Sequence, residues 1–213
     1  MKCIAYSQFG QASEVLFAQE LSRPVPQTNE VLIKLSFSGV NPSDAKARLG
    51  NRPGISEPEF DLIIPNSDGS GIITSVGAKV DPSRVGEKVW VWNGQWERAF
   101  GTAAEFISLP SSQAVKIPNG MSLETGACLG IPGLTAAYCT LGDGSLKGKT
   151  ILVSGGSGSV ANIAIQLAKW SGATVVATGS KSNFEQIASA GADHIFNYND
   201  PELPNKILRL FPT

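Results

Sequence analysis

The residues best suited to chemistry form the glycine-rich run Ser154-Gly155-Gly156-Ser157-Gly158-Ser159-Val160-Ala161. It follows Ile151-Leu152-Val153, a continuous apolar run of the kind found in strands buried on both faces, and it leads into a stretch of helical periodicity. The spacing Gly156-x-Gly158-x-x-Ala161 fits the G-x-G-x-x-G/A fingerprint of dinucleotide sites. Gly156 is expected to permit the tight turn, Gly158 to let backbone N–H groups approach a pyrophosphate, and Ala161 to let the helix pack on the strand. The candidate pyrophosphate contacts are therefore Gly155, Gly156, Ser157, Gly158, Ser159 and Val160. They sit where the partial positive charge of a helix N-terminus favours an anion. No Gly-Lys-Ser/Thr follows, so a P-loop is excluded. A turn that only punctuates the fold and a methyl-donor site are the alternatives for such a glycine run.

The end of the next apolar run selects the cofactor. A site for NAD places Asp or Glu about 20 residues beyond the turn, to accept from the ribose hydroxyls. This chain has Ala177-Thr178-Gly179-Ser180-Lys181-Ser182 there, with no acid. Hydroxyls and a lysine suit a 2′-phosphate, so Ser180 and Lys181 point to NADPH. The alternative for Lys181 is an ordinary solvated lysine.

These residues need a scaffold, and the chain changes rhythm to supply it. From residue 1 to about 120, short runs alternate with Gly, Pro and Asn. Glu30–Phe37 carries Val31, Ile33, Leu35 and Phe37 at period two; Gly71–Gly77, Lys88–Trp92, Ala104–Leu109 and Ala114–Ile117 read as further strands. The expectation is a β-rich, barrel-like domain over 1–120. Over 121–213 the pattern becomes helix, then strand–helix pairs. Ser122–Tyr138 is expected as a helix in two pieces, interrupted by Pro132. Thr150–Ser154, Thr174–Thr178 and His194–Tyr198 are expected as strands, and Val160–Ser171, Asn183–Ala190 and Pro204–Phe211 as helices. That is a parallel sheet covered by helices. The predicted fold class is α/β plus β.

Bulk properties exclude several function classes. The 213 residues are 42% hydrophobic and 16% charged, with a formal net charge of −1. Lys and Arg are scattered, which argues against a nucleic-acid partner. No run approaches the roughly 18 apolar residues of a membrane span, and the N-terminus lacks a signal-peptide core. Cys3, Cys128 and Cys139 are too dispersed for a disulfide framework or a CxxC metal site. The reading is a cytoplasmic chain with reduced thiols.

Several motifs in order resemble the zinc-free medium-chain dehydrogenases/reductases, nearest to NADPH:quinone oxidoreductases of the zeta-crystallin-like branch. They are Ser38-Gly39-Val40-Asn41-Pro42-Ser43-Asp44, Ser67-Asp68-Gly69-Ser70-Gly71, Val85-Gly86-Glu87-Lys88-Val89-Trp90, Gly101-Thr102-Ala103-Ala104-Glu105-Phe106 and Gly130-Ile131-Pro132-Gly133-Leu134-Thr135-Ala136-Ala137-Tyr138. The resemblance implies a GroES-like domain ahead of a Rossmann domain, and NADPH-dependent reduction of a quinone or activated enone. It places Asn41 near the nicotinamide as the candidate catalytic amide, with a turn residue before Pro42 as the alternative. Asp44 would fix that loop or touch the cofactor, or else serve as a helix N-terminal carboxylate. Thr135 would lie near the nicotinamide, or act as a cap. Tyr198 would lie near the 2′-phosphate, or be a half-buried strand end. Trp90, Trp92 and Trp96 could line an apolar cleft, or pack as core. Zinc-dependent relatives hold their metal at positions that here are Asn41 and Ser67, with a Glu at the Asp68 position. Asn and Ser are poor zinc ligands, so no metal is expected. His194, the one histidine, is expected to be structural.

A full dinucleotide fold has two β-α-β-α-β halves, and only the first is legible here. The expectations are a missing second half and dimer edge, where relatives are commonly homo-oligomeric, and an unpaired apolar edge along Thr150–Ser154. A module that binds the dinucleotide without turnover is the competing reading.

Overall fold

The computed structural model describes residues 1–51 and 53–210. Two compact units part between Ile131 and Pro132. In the first, β1 (Lys2–Ala5) and β2 (Phe17–Glu20) pair antiparallel around the short helix α1 (Ala12–Val15). A five-stranded sheet contains β3 (Glu30–Gly39), β4 (Asp68–Val76), β5 (Lys88–Val91), β6 (Phe106–Pro110) and β7 (Ala114–Lys116), with α2 (Pro42–Arg48) between β3 and β4 in sequence. The strand order is β6-β3-β4-β5-β7 and every pairing is antiparallel. The helix α3 (Leu123–Gly126) follows β7.

This sheet buries the alternating residues that the sequence marks. Val31, Ile33, Ile73, Val89, Val91, Ile107 and Leu109 form one core cluster. Two expectations need correction. The sheet is open, with β6 and the three-residue β7 as its ends, rather than barrel-like. Phe37 was grouped with Val31 and Ile33, yet it is 40% exposed. The pairing of β3 with β4 shifts register between Leu35 and Phe37, and a bulge of one residue turns the following side chains to the other face.

The second unit holds β8 (Thr150–Val153), β9 (Thr174–Gly179) and β10 (His194–Asn197) with α5 (Ser159–Trp170), α6 (Phe184–Ser189) and α7 (Leu203–Leu210). The strands are parallel in the order β10-β9-β8, the 3-2-1 half of a Rossmann sheet. Ile165, Ala168, Val175, Ala177 and Ile187 form its core. Among the described residues β8 is an end strand, and its Leu152 is 57% exposed. Phe211, expected to close the last helix, lies outside the described residues.

The point where the units part falls within α4 (Gly130–Leu141). The helical stretch does come in two pieces, but the break precedes Pro132 instead of falling on it. Pro132 occupies the first turn of α4, where its missing N–H would have had no intrahelical acceptor. No helix among the described residues is long and apolar enough to cross a membrane.

The main sheet depends on a close approach at Gly71, where an added Cβ would lie 2.1 Å from the Lys34 carbonyl oxygen. Gly71→Ala should therefore lower stability by about 1–3 kcal/mol, read as a fall in the urea midpoint at unchanged slope. Val25→Ala, at a position 77% exposed, should stay within about 0.5 kcal/mol of wild type. Equal midpoints for all three proteins would contradict the packing described.

Candidate functional site

The glycine run leaves the C-terminal end of β8 and enters α5 by a turn with an unequal division of labour. Gly155 takes the left-handed conformation, φ +67°. The expectation gave the tight turn to Gly156, but Gly156 serves packing. A Cβ there would lie 3.0 Å from Ile165 and 3.1 Å from Ile187. Hydrogen bonds lock the turn onto β9: the Gly156 N–H donates to the Thr178 carbonyl (2.8 Å), and the Gly155 N–H to Thr178 Oγ1 (3.2 Å). Gly158 is the N-cap of α5 and has no side chain to cap it. The first N–H groups of a helix have no intrahelical acceptors, so an anion can take them. The exposed Gly158, Ser159 and Val160 border that position. These features fit a pyrophosphate.

The ends of β9 and β10 lie on the same side of the parallel sheet. Gly179 ends β9 against Ile187, and Ser180 opens a 3-10 turn over Lys181–Asn183. The Ser180 and Ser182 hydroxyls are 2.9 Å apart. The Tyr198 N–H donates to the Gly179 carbonyl (3.2 Å), and its side chain is 52% exposed. The structure thus gathers Gly155–Val160, Ser180, Lys181 and Tyr198 at the carboxyl edge of one sheet. Sequence reasoning missed Asp200, after β10. A bond from Lys206 is the largest influence holding its carboxyl below the usual range, and the positive charge of Lys181 contributes. No acid stands at the end of β9; this one comes from the loop after β10.

In the first unit Asn41 and Asp44 meet at the start of α2. The Asn41 N–H donates to Asp44 Oδ2 (2.7 Å), and Asn41 Nδ2 donates to Asp68 Oδ2 (2.9 Å). The second Nδ2 hydrogen has no acceptor among the described residues. Asn41, Asp44 and Asp68 are all buried. Beside Asp44 opens a groove of about 270 Å³ lined by Ile4, Leu16, Val40, Ala45 and Arg48. Thr135 is the sixth residue of α4 and exposed, so it does not cap that helix. Trp96 is 55% exposed, and Trp90 and Trp92 are half-buried, with Trp92 Nε1 donating to the Ser112 carbonyl. His194 opens β10. Among the described residues no three His, Cys, Asp or Glu side chains cluster as a metal site would require.

Asp68 is the residue whose weight the sequence understated. It is 1% exposed and accepts from Asn41 and from the Ile131 N–H (2.9 Å to each oxygen). Burial pushes its carboxyl up to about 6, against the lowering effect of those two donors, and Asp44 adds a smaller upward push. The only sequence signal is a carboxylate opening a buried strand.

A carboxyl raised from 3.8 to about 6 on folding is costly to bury when ionised. Stability from this group is therefore gained as pH falls through 6 toward 3.8. The full gain is about 3 kcal/mol, and about 1 kcal/mol of it falls between pH 7 and pH 5. Asp68→Asn should remove that gain, so wild type should rise relative to the variant by about 1 kcal/mol in urea unfolding between pH 7 and pH 5. Parallel pH dependences would contradict the assignment.

Comparison with known proteins agrees with this architecture. Residues 27–119 match the alcohol dehydrogenase GroES-like domain. The chain is 33% identical over 209 residues to a chloroplast envelope quinone oxidoreductase homolog of Arabidopsis thaliana, covering 95% of this chain and 62% of that one. It is 31% identical over 212 residues to a quinone oxidoreductase of Mus musculus, covering 97% and 61%. A Pseudomonas syringae quinone oxidoreductase structure superposes with a TM-score of 0.85 at 27% identity, covering 98% of this chain and 62% of that one. A mycobacterial structure complexed with NADPH gives 0.81 at 27% identity, covering 99% and 63%. The chain thus spans 62% and 61% of the lengths of the two curated relatives. Over that length it is similar to quinone oxidoreductases, and its residues 27–119 match the alcohol dehydrogenase GroES-like domain.

Proposed function

We propose that this chain binds NADPH and contributes to hydride-transfer reduction of quinones or activated enones without zinc. The observation that carries the reading is the uncapped start of α5 behind the Gly155–Gly158 turn, with hydroxyls and a lysine at the end of β9. The mycobacterial neighbour complexed with NADPH and the quinone oxidoreductase relatives support it.

NADPH, when bound, supplies the hydride. The protein's task is then to orient donor and acceptor. Amides of Gly158, Ser159 and Val160 and the Ser157 hydroxyl would hold the pyrophosphate. Ser180, Lys181 and Tyr198 would hold the 2′-phosphate, with Lys181 as a point charge. Asn41 would direct its remaining Nδ2 hydrogen at the acceptor carbonyl, while Asp44 keeps the loop in place. Thr135 is proposed to face the nicotinamide. The groove beside Asp44 is mostly apolar and suits the flat hydrocarbon part of a quinone or enone. By the resemblance, Asn41 and Ser67 take the positions where zinc-dependent relatives ligate metal, and neither side chain is a good zinc donor. Binding of the dinucleotide without turnover is the competing reading.

Saturation with NADPH at 100 times Kd should stabilise the chain by about 2.7 kcal/mol, visible as a raised Tm, with a smaller shift for NADH at the same concentration. Lys181→Ala should weaken NADPH by about tenfold, the scale of one charge-assisted contact, and leave NADH unchanged. Equal shifts for the two cofactors would refute the role of Ser180, Lys181 and Tyr198. NADPH oxidation with a simple quinone separates the two readings, and a chelator should not affect it. Binding without oxidation would favour the module.

A further inference from the structure

Polar accounting at the glycine turn singles out a residue that the nucleotide fingerprint does not include. Asn183 ends the 3-10 turn after β9 and immediately precedes α6. Its Nδ2 donates to Ser157 Oγ at 2.9 Å, and Gln186 Nε2 adds a longer bond to the Ser157 carbonyl (3.4 Å). A hydroxyl has one hydrogen to give and lone pairs with which to accept. Since Ser157 Oγ accepts from Asn183, its own hydrogen must go elsewhere. No group among the described residues accepts it. Ser157 stands one residue before Gly158, the N-cap of α5, so the unassigned hydrogen belongs to the same turn as the open amides.

We propose that Asn183 is a positioning residue for the dinucleotide site: by donating to Ser157 Oγ, it commits the Ser157 hydroxyl to donate to a pyrophosphate oxygen. The backbone places Asn183 between the two halves of the site. Its N–H donates to the Ser180 carbonyl at 3.0 Å, in the turn read as the 2′-phosphate end, while its side chain acts on the pyrophosphate end. The inference rests on the proposed NADPH site and adds a cause for its affinity. A hydroxyl already bonded to an amide donor also has less freedom to lose when the ligand arrives.

The test is calorimetric binding of NADPH and of 2′-AMP, which carries a 2′-phosphate but no pyrophosphate, to the full chain. Ser157→Ala should weaken NADPH about tenfold, and Asn183→Ala about three- to tenfold, as expected for hydrogen bonds to a charged ligand. Neither should alter 2′-AMP binding more than about twofold. The double variant should bind NADPH no more weakly than Ser157→Ala alone, because Asn183 acts through that hydroxyl. Asn183→Asp should be weaker than Asn183→Ala, since a carboxylate would take the Ser157 hydrogen and repel the ligand. Wild-type affinity in Asn183→Asp would mean that Ser157 donates to position 183, which overturns the inference while leaving the NADPH site intact. Equal losses of NADPH and 2′-AMP in Asn183→Ala would also overturn it, as would additive losses in the double variant. A wild-type chain that binds no NADPH would instead remove the proposed function on which the inference stands.

Discussion

Ile187 sets how closely the glycine turn after β8 and the end of β9 can approach one another. It is fully buried, and both Gly156 and Gly179 approach it so nearly that added Cβ atoms would lie 3.1 Å and 2.3 Å from its side chain. One branched residue on α6 therefore favours glycine both in the turn after β8 and at the end of β9. The Gly155 and Gly156 amides reach Thr178, which ties the turn to the end of β9. The residues proposed for the site in this unit surround that packing. The start of α5 stays open, the Ser180 turn begins directly after Gly179, and Asn183 comes within reach of Ser157.

The first unit meets a comparable constraint with charge. Asp68 is held among Asn41 and the Ile131 amide, with Thr102 Oγ1 donating to its backbone carbonyl at 2.6 Å. An ionised carboxylate there loses water and regains part of the loss through these donors. The upward displacement of its titration indicates that recovery is incomplete. What the arrangement secures is orientation. Asn41 is fixed at its backbone by Asp44 and at its amide by Asp68.

Much of this was legible in the residues. Unbroken apolar runs at Ile151–Val153 and Val175–Ala177 announced parallel strands, and glycine punctuation located the turn between strand and helix. The missing acid after Thr178 is the residue pattern on which the proposed preference for NADPH rests. Other features were hidden for physical reasons. Which glycine takes positive φ depends on where Ile165 and Ile187 come to rest, far along the chain, so the tight turn was assigned to Gly156 in place of Gly155. The bulge in β3 that turns Phe37 outward leaves no mark in the alternation of Val31, Ile33 and Leu35. Asp68 and Asp200 gain their importance from neighbours 27 residues away in one case and 6 in the other, through loops whose course periodicity does not report. The pair of strands opening the chain also escaped notice: Phe17–Glu20 buries none of its four residues and carries no alternation to read.

The account rests on the claim that a dinucleotide pyrophosphate seats on the Gly155–Val160 turn. Amide chemical-shift mapping by NMR during NADPH titration tests this most directly. The account predicts saturable shifts concentrated at Gly155–Ala161, Ser180–Asn183 and Tyr198, with the strongest effects in the first turn of α5. Saturable shifts elsewhere, with the Gly155–Ala161 amides unmoved, would contradict it.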